Sequence, residues 1–329
     1  MTDNLIARTY DLRVISHIND AFILARPYKF KRLKPNCYLI SNGMSGGNEA
    51  YMTIELQSGY YQGCKIHGSI RKWYHGALSD NDLRWDEIEE AFRLLAKKLE
   101  IDFDDLCKFT LSKVEVGLCG KIGYDSTYVK SQIVGFRSAS YKVLDGEGYR
   151  QFATTKSKDM IAKIYDKKNE IRTKIGFIKS SDEKEFIEKA KALNIFRPEF
   201  TVQNGSSKVK ARIGIKTIGD MIKHYPRLLA FFLKNIKLYQ FNDKPNLEFY
   251  PIKGSGKEFT DYLLTYAIND LGTVGVRDVI SQLAPNHRRE ARRKVKKLQV
   301  NTGVNNQLRK DVIGALQKQS LDLFRKQKL

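Results

Sequence analysis

Tyr165 stands in the stretch MIAKIYDKKNEIR, residues 160–172, with Asp166, Lys167, Lys168 and Glu170 behind it. A phenolic oxygen becomes a nucleophile once it loses its proton, but a free tyrosine has a pKa of about 10. Lys167 lies two residues on, which on an extended strand is the same face, and its charge is placed to favour the phenolate. The plain alternative is an ordinary strand aromatic.

Side chains on a strand alternate between faces with a period of two, and four segments share one pattern under that rule. In CKIHGSI, Lys65, His67 and Ser69 fall together, opposite Cys64, Ile66 and Ile70. In LSKVEVGL, Lys113 and Glu115 oppose Val114, Val116 and Leu118. In IAKIYDK, Lys163, Tyr165 and Lys167 oppose Ala162 and Ile164. In FRPEFTV, Arg197, Glu199 and Thr201 oppose Phe196, Phe200 and Val202. If the four share a sheet, one face collects a nucleophile, oxygen and nitrogen donors suited to a divalent metal, and cations suited to phosphate. A solvated polar face with no further purpose is the competing explanation. Pro198 weakens the fourth strand, because proline sits at edges or bulges.

The elements that must position these residues read as follows. EAYMTIELQ, 49–57, alternates as a strand, and SGYY turns it into QGCKIHGSI. DNDLRWDEIEEAFRLLAKKLEI reads as a helix capped by Asp80 or Asp82, with Leu83, Ile88, Phe92, Leu95 and Leu99 on one face. FTLSKVEVGL is a strand. Residues 120–150, rich in Gly, Ser, Tyr and Lys, read as a variable excursion carrying Tyr124, Tyr128, Tyr141 and Tyr149 as other hydroxyls. YRQFATT and MIAKIYDK read as strands that pair, SDEKEFIEKAKAL as a helix capped at Ser181, and NIFRPEFTVQ as a strand. Beyond about residue 210, TIGDMIKHYPRLLAFFLKNI, KEFTDYLLTYAINDLG and the tail after Pro285 are helical. The expectation is an α+β protein. An antiparallel sheet packed on helices fills residues 1–210, and a helical, basic, DNA-binding region fills 211–329.

The chain has 329 residues, 42% of them apolar, enough for a real core and too few for a membrane protein. No apolar run approaches a bilayer span, and the first residues lack the apolar block of a secretory signal. Cys37, Cys64, Cys107 and Cys119 share no paired spacing, which suits a reducing cytoplasm. The 58 basic and 37 acidic residues leave a net charge of +21, which points to a polyanion, nucleic acid first. HRREARRKVKK, 287–297, sets Arg288, Arg289, Arg292, Arg293, Lys294, Lys296 and Lys297 around a helix, in the manner of a phosphate-backbone grip. GSGK, 254–257, is followed by Glu258 and does not meet the phosphate-loop pattern, so nucleotide hydrolysis is not expected.

The segments resemble the replication initiators of filamentous phages and related phage and plasmid proteins, which nick one strand to start rolling-circle replication. HGSIRKWYHG, 67–76, resembles a family segment of Gly/Ala-Ser, a basic residue, an aromatic or apolar pair and Gly. LSKVEV sits where the family has an Arg-Ile-Asp strand. KIYDKKNEI resembles its Tyr-x-Lys-x-x-Glu strand, and FRPEF its Arg-Phe-Glu strand. Order and rough spacing agree, and the matches touch about a tenth of the chain, within residues 60–205. Three features depart from the family: Lys113 and Glu115 replace Arg and Asp, Pro198 interrupts Arg197 and Glu199, and a two-histidine metal motif is reduced to His67.

The resemblance implies a metal-dependent nicking-closing endonuclease in a host bacterial cytoplasm. Tyr165 attacks a DNA phosphorus, keeps the 5′ phosphate and frees a 3′ hydroxyl, and the retained ester energy allows rejoining. Glu199, Glu115 and His67 are the implied ligands of Mg²⁺ or Mn²⁺, and Arg197 is the implied phosphate clamp. Lys72, Lys163 and Lys168 join the basic tail as DNA contacts. The partner is origin DNA, single-stranded or supercoiled double-stranded, with room for a host helicase and none for a membrane. Two alternatives stand beside it: a plasmid mobilisation relaxase with the same chemistry, and a non-catalytic origin-binding protein.

Overall fold

A computed structural model describes residues 2–23, 30–44, 48–57, 62–77, 79–136, 141–146, 149–154, 159–166, 195–241, 256–301 and 307–324. In chain order come β1 (Thr2–Thr9), α1 (Leu12–Ile23), β2 (Phe30–Lys34), β3 (Cys37–Ser41), β4 (Tyr51–Gln57), β5 (Gly63–Ser69), α2 (Ile70–His75), α3 (Trp85–Leu99), α4 (Phe103–Cys107) and β6 (Thr110–Gly117). Then follow β7 (Gly120–Lys121), α5 (Ser126–Gln132), β8 (Ile133–Phe136), β9 (Tyr141–Gly146), β10 (Tyr149–Thr154), β11 (Met160–Asp166) and β12 (Ile195–Val202). Last are α6 (Ser206–Ile213), α7 (Ile218–Lys223), α8 (Tyr225–Ile236), β13 (Tyr239–Phe241), α9 (Gly256–Gln282), α10 (Pro285–Asn301) and α11 (Gln307–Asp322).

One large antiparallel sheet runs β2-β3-β4-β5-β1-β6-β12-β11-β10-β9, with β7 pairing to β12; β8 and β13 form a second, small sheet. The fold is α+β. All four strands with the shared polar pattern lie in the large sheet, and β10 pairs β11 as their sequences predict. Apolar residues of the opposite face, among them Leu5, Ile66, Val114, Val116, Ile164 and Phe200, are buried in one core with the helices.

Several expectations need correction. The central strand β1 does not stand out in the sequence, because apolar Ile6 falls on its polar face and polar Asp3 and Thr9 fall at buried positions, although burial alternates along it. Helix α3 begins at Trp85, where the Arg84 N–H donates to the Glu87 carboxylate at 2.8 Å; neither Asp80 nor Asp82 is its cap. Residues 120–136 are not an irregular excursion: β7, α5 and β8 fill much of them, and Asp125 caps α5 by accepting from the Tyr128 N–H at 3.0 Å. The helix expected at Ser181 lies outside the described residues.

Pro198 sits in an interior strand. A strand residue directs its N–H and C=O to the same side, and the Pro198 carbonyl accepts from the Leu118 N–H at 3.3 Å. On that side the ladder is interrupted: β12 pairs β6 through Glu199–Val202 and β7 through Ile195–Phe196. The missing proline N–H therefore falls in the break between β6 and β7.

The core does not divide at residue 210. Val209, Ile213, Met221, Leu228 and Phe232, and from α11 Val312 and Leu316, are buried in the same core as the sheet. Helix α11 is fastened at several points: Tyr124 donates to Asp311 at 2.7 Å, Arg309 to the Lys237 carbonyl at 2.9 Å, and a Cβ on Gly120 would come 2.6 Å from Leu316. A separate small cluster joins α9 and α10 through Ile268, Val276, Ile280 and Val295. If α11 belongs to the main core, Leu316→Ala lowers the unfolding free energy by about 2–5 kcal/mol. Denaturant titration of the full chain reads this, and an unchanged midpoint would detach α11 from that core.

Candidate functional site

Directly paired residues in an antiparallel ladder present their side chains on the same side. Asn4 faces Ser69, Ile6 faces both His67 and Lys113, and Arg8 faces Lys65. Thr201 faces Glu115, Glu199 faces Lys163, Arg197 faces Tyr165, and Tyr165 faces Tyr149. The register therefore places His67, Glu115, Tyr165, Arg197 and Glu199 on one face of one sheet. Lys167 and Lys168 lie outside the described residues.

The middle of this face is closed. Arg197 is 1% exposed and spends all three guanidinium nitrogens. Nε donates to Glu199 at 2.6 Å, Nη1 to Asp82 at 2.7 Å and to the Cys119 sulfur at 2.8 Å, and Nη2 to Asp3 at 3.0 Å. Arg71, fully buried at the start of α2, has its Nε 3.5 Å from Asp3 and donates from Nη1 to the carbonyls of Ser79 and Asn81. Ser69 also donates to Asp3. Burial works to raise the Asp3 pKa, but Arg71 and Arg197 overcome it and hold it well below the carboxylate range; Asp82 is likewise lowered against burial, chiefly by Arg197. Gly117, opposite Glu199, is required here, since a Cβ would come 2.6 Å from the Glu199 side chain. Arg197 is thus a buried anchor with no nitrogen left for substrate, and the expected phosphate clamp is corrected.

Of the three expected metal ligands, Glu115 and Glu199 lie close enough to interact, and His67 is set apart from them. His67 on β5 is separated from Glu199 on β12 by two intervening strands, roughly 14 Å at the usual strand spacing. Its Nε2 lies 3.2 Å from Glu55, which also accepts from Lys65 at 2.7 Å; burial first, then Lys65, lowers the His67 pKa. Glu115, 1% exposed, accepts from Asn4 at 2.6 Å and Thr201 at 2.9 Å, with Lys163 at 3.7 Å. Glu199 is pushed up to about 8, first by burial and then by Glu115, against the pull of Arg197. Among the described residues no group of three His, Cys, Asp or Glu side chains is placed to hold a metal ion.

The flanks of the face are more open. Tyr165 and Lys163 on β11 are half-buried, and Tyr149 across from Tyr165 is 37% exposed, its ring centroid 6.1 Å away. Lys72, half-buried on α2, adds to the charges that depress Asp3. On α10, Arg289, Arg292, Arg293, Lys294 and Lys296 are exposed and Arg288 is partly so, donating to the Leu283 carbonyl at 2.7 Å; the Lys297 side chain lies outside the described set. Val295 turns the other way, into the cluster with α9. A cleft of about 450 Å³ opens elsewhere, beside Asp82 and Cys119, walled by His75, Glu87, Gln319 and Asp322, and touches no residue of the expected site.

Asp3, Asn4, Arg71 and Asp82 are buried or part-buried partners around Arg197, Glu115 and Asp3 that patterning misses. Asp82 reads as a helix cap, and Asp3 and Asn4 lie on a strand whose residue types hide its alternation. No protein-family model matches the chain, and no curated protein matches it. The fold and the face define an α+β protein with a charged, partly open sheet surface and a basic helix. No described helix is long and apolar enough to cross a membrane.

Glu199 carries a pH signature. Its folded pKa lies above the unfolded value, so the folded state holds the extra proton and stability falls as pH rises from about 4.5 to about 8. Asp3 and Asp82 act oppositely, losing their contribution as pH falls through their depressed values. Glu199→Gln keeps an acceptor for Arg197 and removes the titration. Denaturant unfolding across that window should show the wild type losing stability relative to the variant, by an amount on the order of a few kcal/mol. Parallel profiles would remove Glu199 as the titrating group.

Proposed function

We propose that the chain is a tyrosine-dependent DNA-nicking protein of the rolling-circle initiator kind. The observation that carries this reading is the register. It sets Tyr165, half-buried, on the polar sheet face, with Lys163 two residues before it on that face. In the proposed reaction the Tyr165 oxygen attacks a DNA phosphorus, the 3′ oxygen leaves, and the 5′ phosphate stays on the tyrosine. The reverse attack by the 3′ hydroxyl rejoins the strand without external energy. Arg8, Lys65 and Lys113 on the same face offer cations to the phosphates of an extended strand, and the exposed cations of α10 hold backbone phosphates.

A second reading draws on the saturated Arg197: its charges are structural, as they would be in a non-catalytic origin-binding protein. Incubating supercoiled DNA bearing the cognate origin with the full chain and Mg²⁺ or Mn²⁺ separates the two. Nicked circles with protein on the 5′ end, lost in Tyr165→Phe while binding persists, support the nickase. Specific binding without a nick supports the second reading.

The helix α10 has its own test. Exchanging Arg289, Arg292, Arg293, Lys294 and Lys296 for Gln should weaken binding and flatten its salt dependence, by about 0.9 in log–log slope for each duplex phosphate that is no longer neutralised. Neutralisation is preferable to truncation after residue 284, which would also remove α11 from the core. An unchanged slope rules out the grip.

A further inference from the structure

The polar column of β1 continues past the end of the strand. Asn4, Ile6 and Arg8 alternate onto the polar face, and Tyr10 is the next residue of that column. Arg8 faces Lys65 and Ile6 faces both His67 and Lys113, so Arg8, Lys65, His67 and Lys113 gather at this end of the sheet. Tyr10 is 58% exposed. Its ring lies against Gly63, the first residue of β5: a Cβ there would come 3.2 Å from one ring carbon and 3.4 Å from another. A side chain at position 63 would crowd the ring, and glycine leaves it room to rest on the strand.

The charges at this end differ from those in the middle of the sheet. Arg197 has no nitrogen to spare. Among the described residues Arg8 and Lys113 form no ion pair, and the buried Nε of Arg8 has no hydrogen-bond partner. Glu55 on β4 is shared between Lys65 at 2.7 Å and His67 at 3.2 Å. His67 registers the surplus: after burial, Lys65 does most to lower its pKa and Lys113 adds to that, against Glu55.

We propose that this corner is a subsite for single-stranded DNA, in which an unpaired base stacks on Tyr10 while Arg8, Lys65 and Lys113 hold the phosphates beside it. In a duplex the bases stack on one another, whereas an unpaired base offers a π-face to an aromatic side chain whatever its sequence. A lone exposed tyrosine carries little meaning. An exposed ring seated on glycine beside unspent cations is the pairing of stacking platform and charged groove that holds single strands.

The choice of DNA rests on the function proposed above, but the subsite needs no reaction at Tyr165 and lies far from it. Leu5, Val114, Val202 and Met160 pair in one row across β1, β6, β12 and β11. Tyr10 lies five residues beyond that row in one direction and Tyr165 five residues beyond it in the other, roughly 30 Å apart along the strands. At about 3.4 Å per stacked nucleotide, about nine nucleotides cover that length. The corner therefore holds a flanking part of the strand, away from any phosphate at Tyr165.

Anisotropy of a labelled thymidine strand of about 12 nucleotides tests this on the full chain, with EDTA present so that binding alone is read. Tyr10→Ala should weaken binding about tenfold, as the loss of one stacked base does, and Tyr10→Phe should bind as the wild type. An abasic strand of the same length should bind wild type and Tyr10→Ala equally, which also shows that the variant is folded. Arg8→Gln combined with Lys113→Gln should weaken both strands and lower the log–log salt slope by about 0.7 for each phosphate no longer neutralised. With 5-iodouracil in place of thymine, irradiation should crosslink the strand to the peptide that contains Tyr10. Wild-type affinity in Tyr10→Ala, an equal loss on the abasic strand, or crosslinks confined to α10 overturns the proposal. Each of these results leaves the nicking reading in place, since that reading stands or falls with the Tyr165 adduct.

Discussion

Arg197 occupies the middle of the sheet with every guanidinium nitrogen committed to a neighbour, and the rest of the face is arranged around that commitment. Its partners come from separate parts of the chain: Glu199 from its own strand, Asp3 from β1, and Asp82 from the segment before α3. Desolvating an ion pair costs several kcal/mol per ion, and a close geometry with extra hydrogen bonds is needed to offset it. Here Cys119 both accepts from Arg197 and donates its N–H to Asp82 at 2.7 Å, and Ser69 donates to Asp3. The carboxyls of Asp3, Asp82, Glu115 and Glu199 face Arg71, Arg197 and Lys163, with Lys72 and the N-terminal amine adding positive charge around Asp3 and Asp82. Among them Glu199 is the carboxyl held up toward its protonated form, first by burial and then by the Glu115 charge.

This network divides the face. On the central strands β1, β6 and β12, Asp3, Glu115, Arg197 and Glu199 are buried and hydrogen-bonded, so they form a rigid floor, while Arg8 and Lys113 on β1 and β6 keep partial exposure. The flanking strands β5, β11 and β10 carry Lys65, His67, Lys163, Tyr165 and Tyr149, which keep contact with solvent. The partly exposed side chains on the flanks are held by packed strands rather than by loops, which fixes their positions closely. The basic helix α10 packs on α9 through a smaller cluster of its own.

Legibility in the sequence followed the physics of each element. The strands β4, β5, β6, β11 and β12 alternate cleanly, so their existence, and the shared face of their polar residues, could be read from a period of two. Strand β1 could not, since Ile6 on its polar face and Asp3 and Thr9 at buried positions hide the alternation. The proline in β12 argued against an interior strand, because a break in a neighbouring ladder is invisible until the neighbours are known. Asp82 fits the rule for a helix cap, and only the arrival of Arg197 from 115 residues away gives it another role.

Residue types and their local periods settled by themselves that this chain forms an antiparallel sheet with helices, that one sheet face is polar, and that the surplus charge is positive. Those properties depend on neighbours a few positions away. Which charges are spent and which remain open was decided only by the tertiary structure. A guanidinium reads the same in sequence whether it faces a phosphate or is surrounded by buried carboxylates, and the distinction arises from strands distant in the chain meeting side by side.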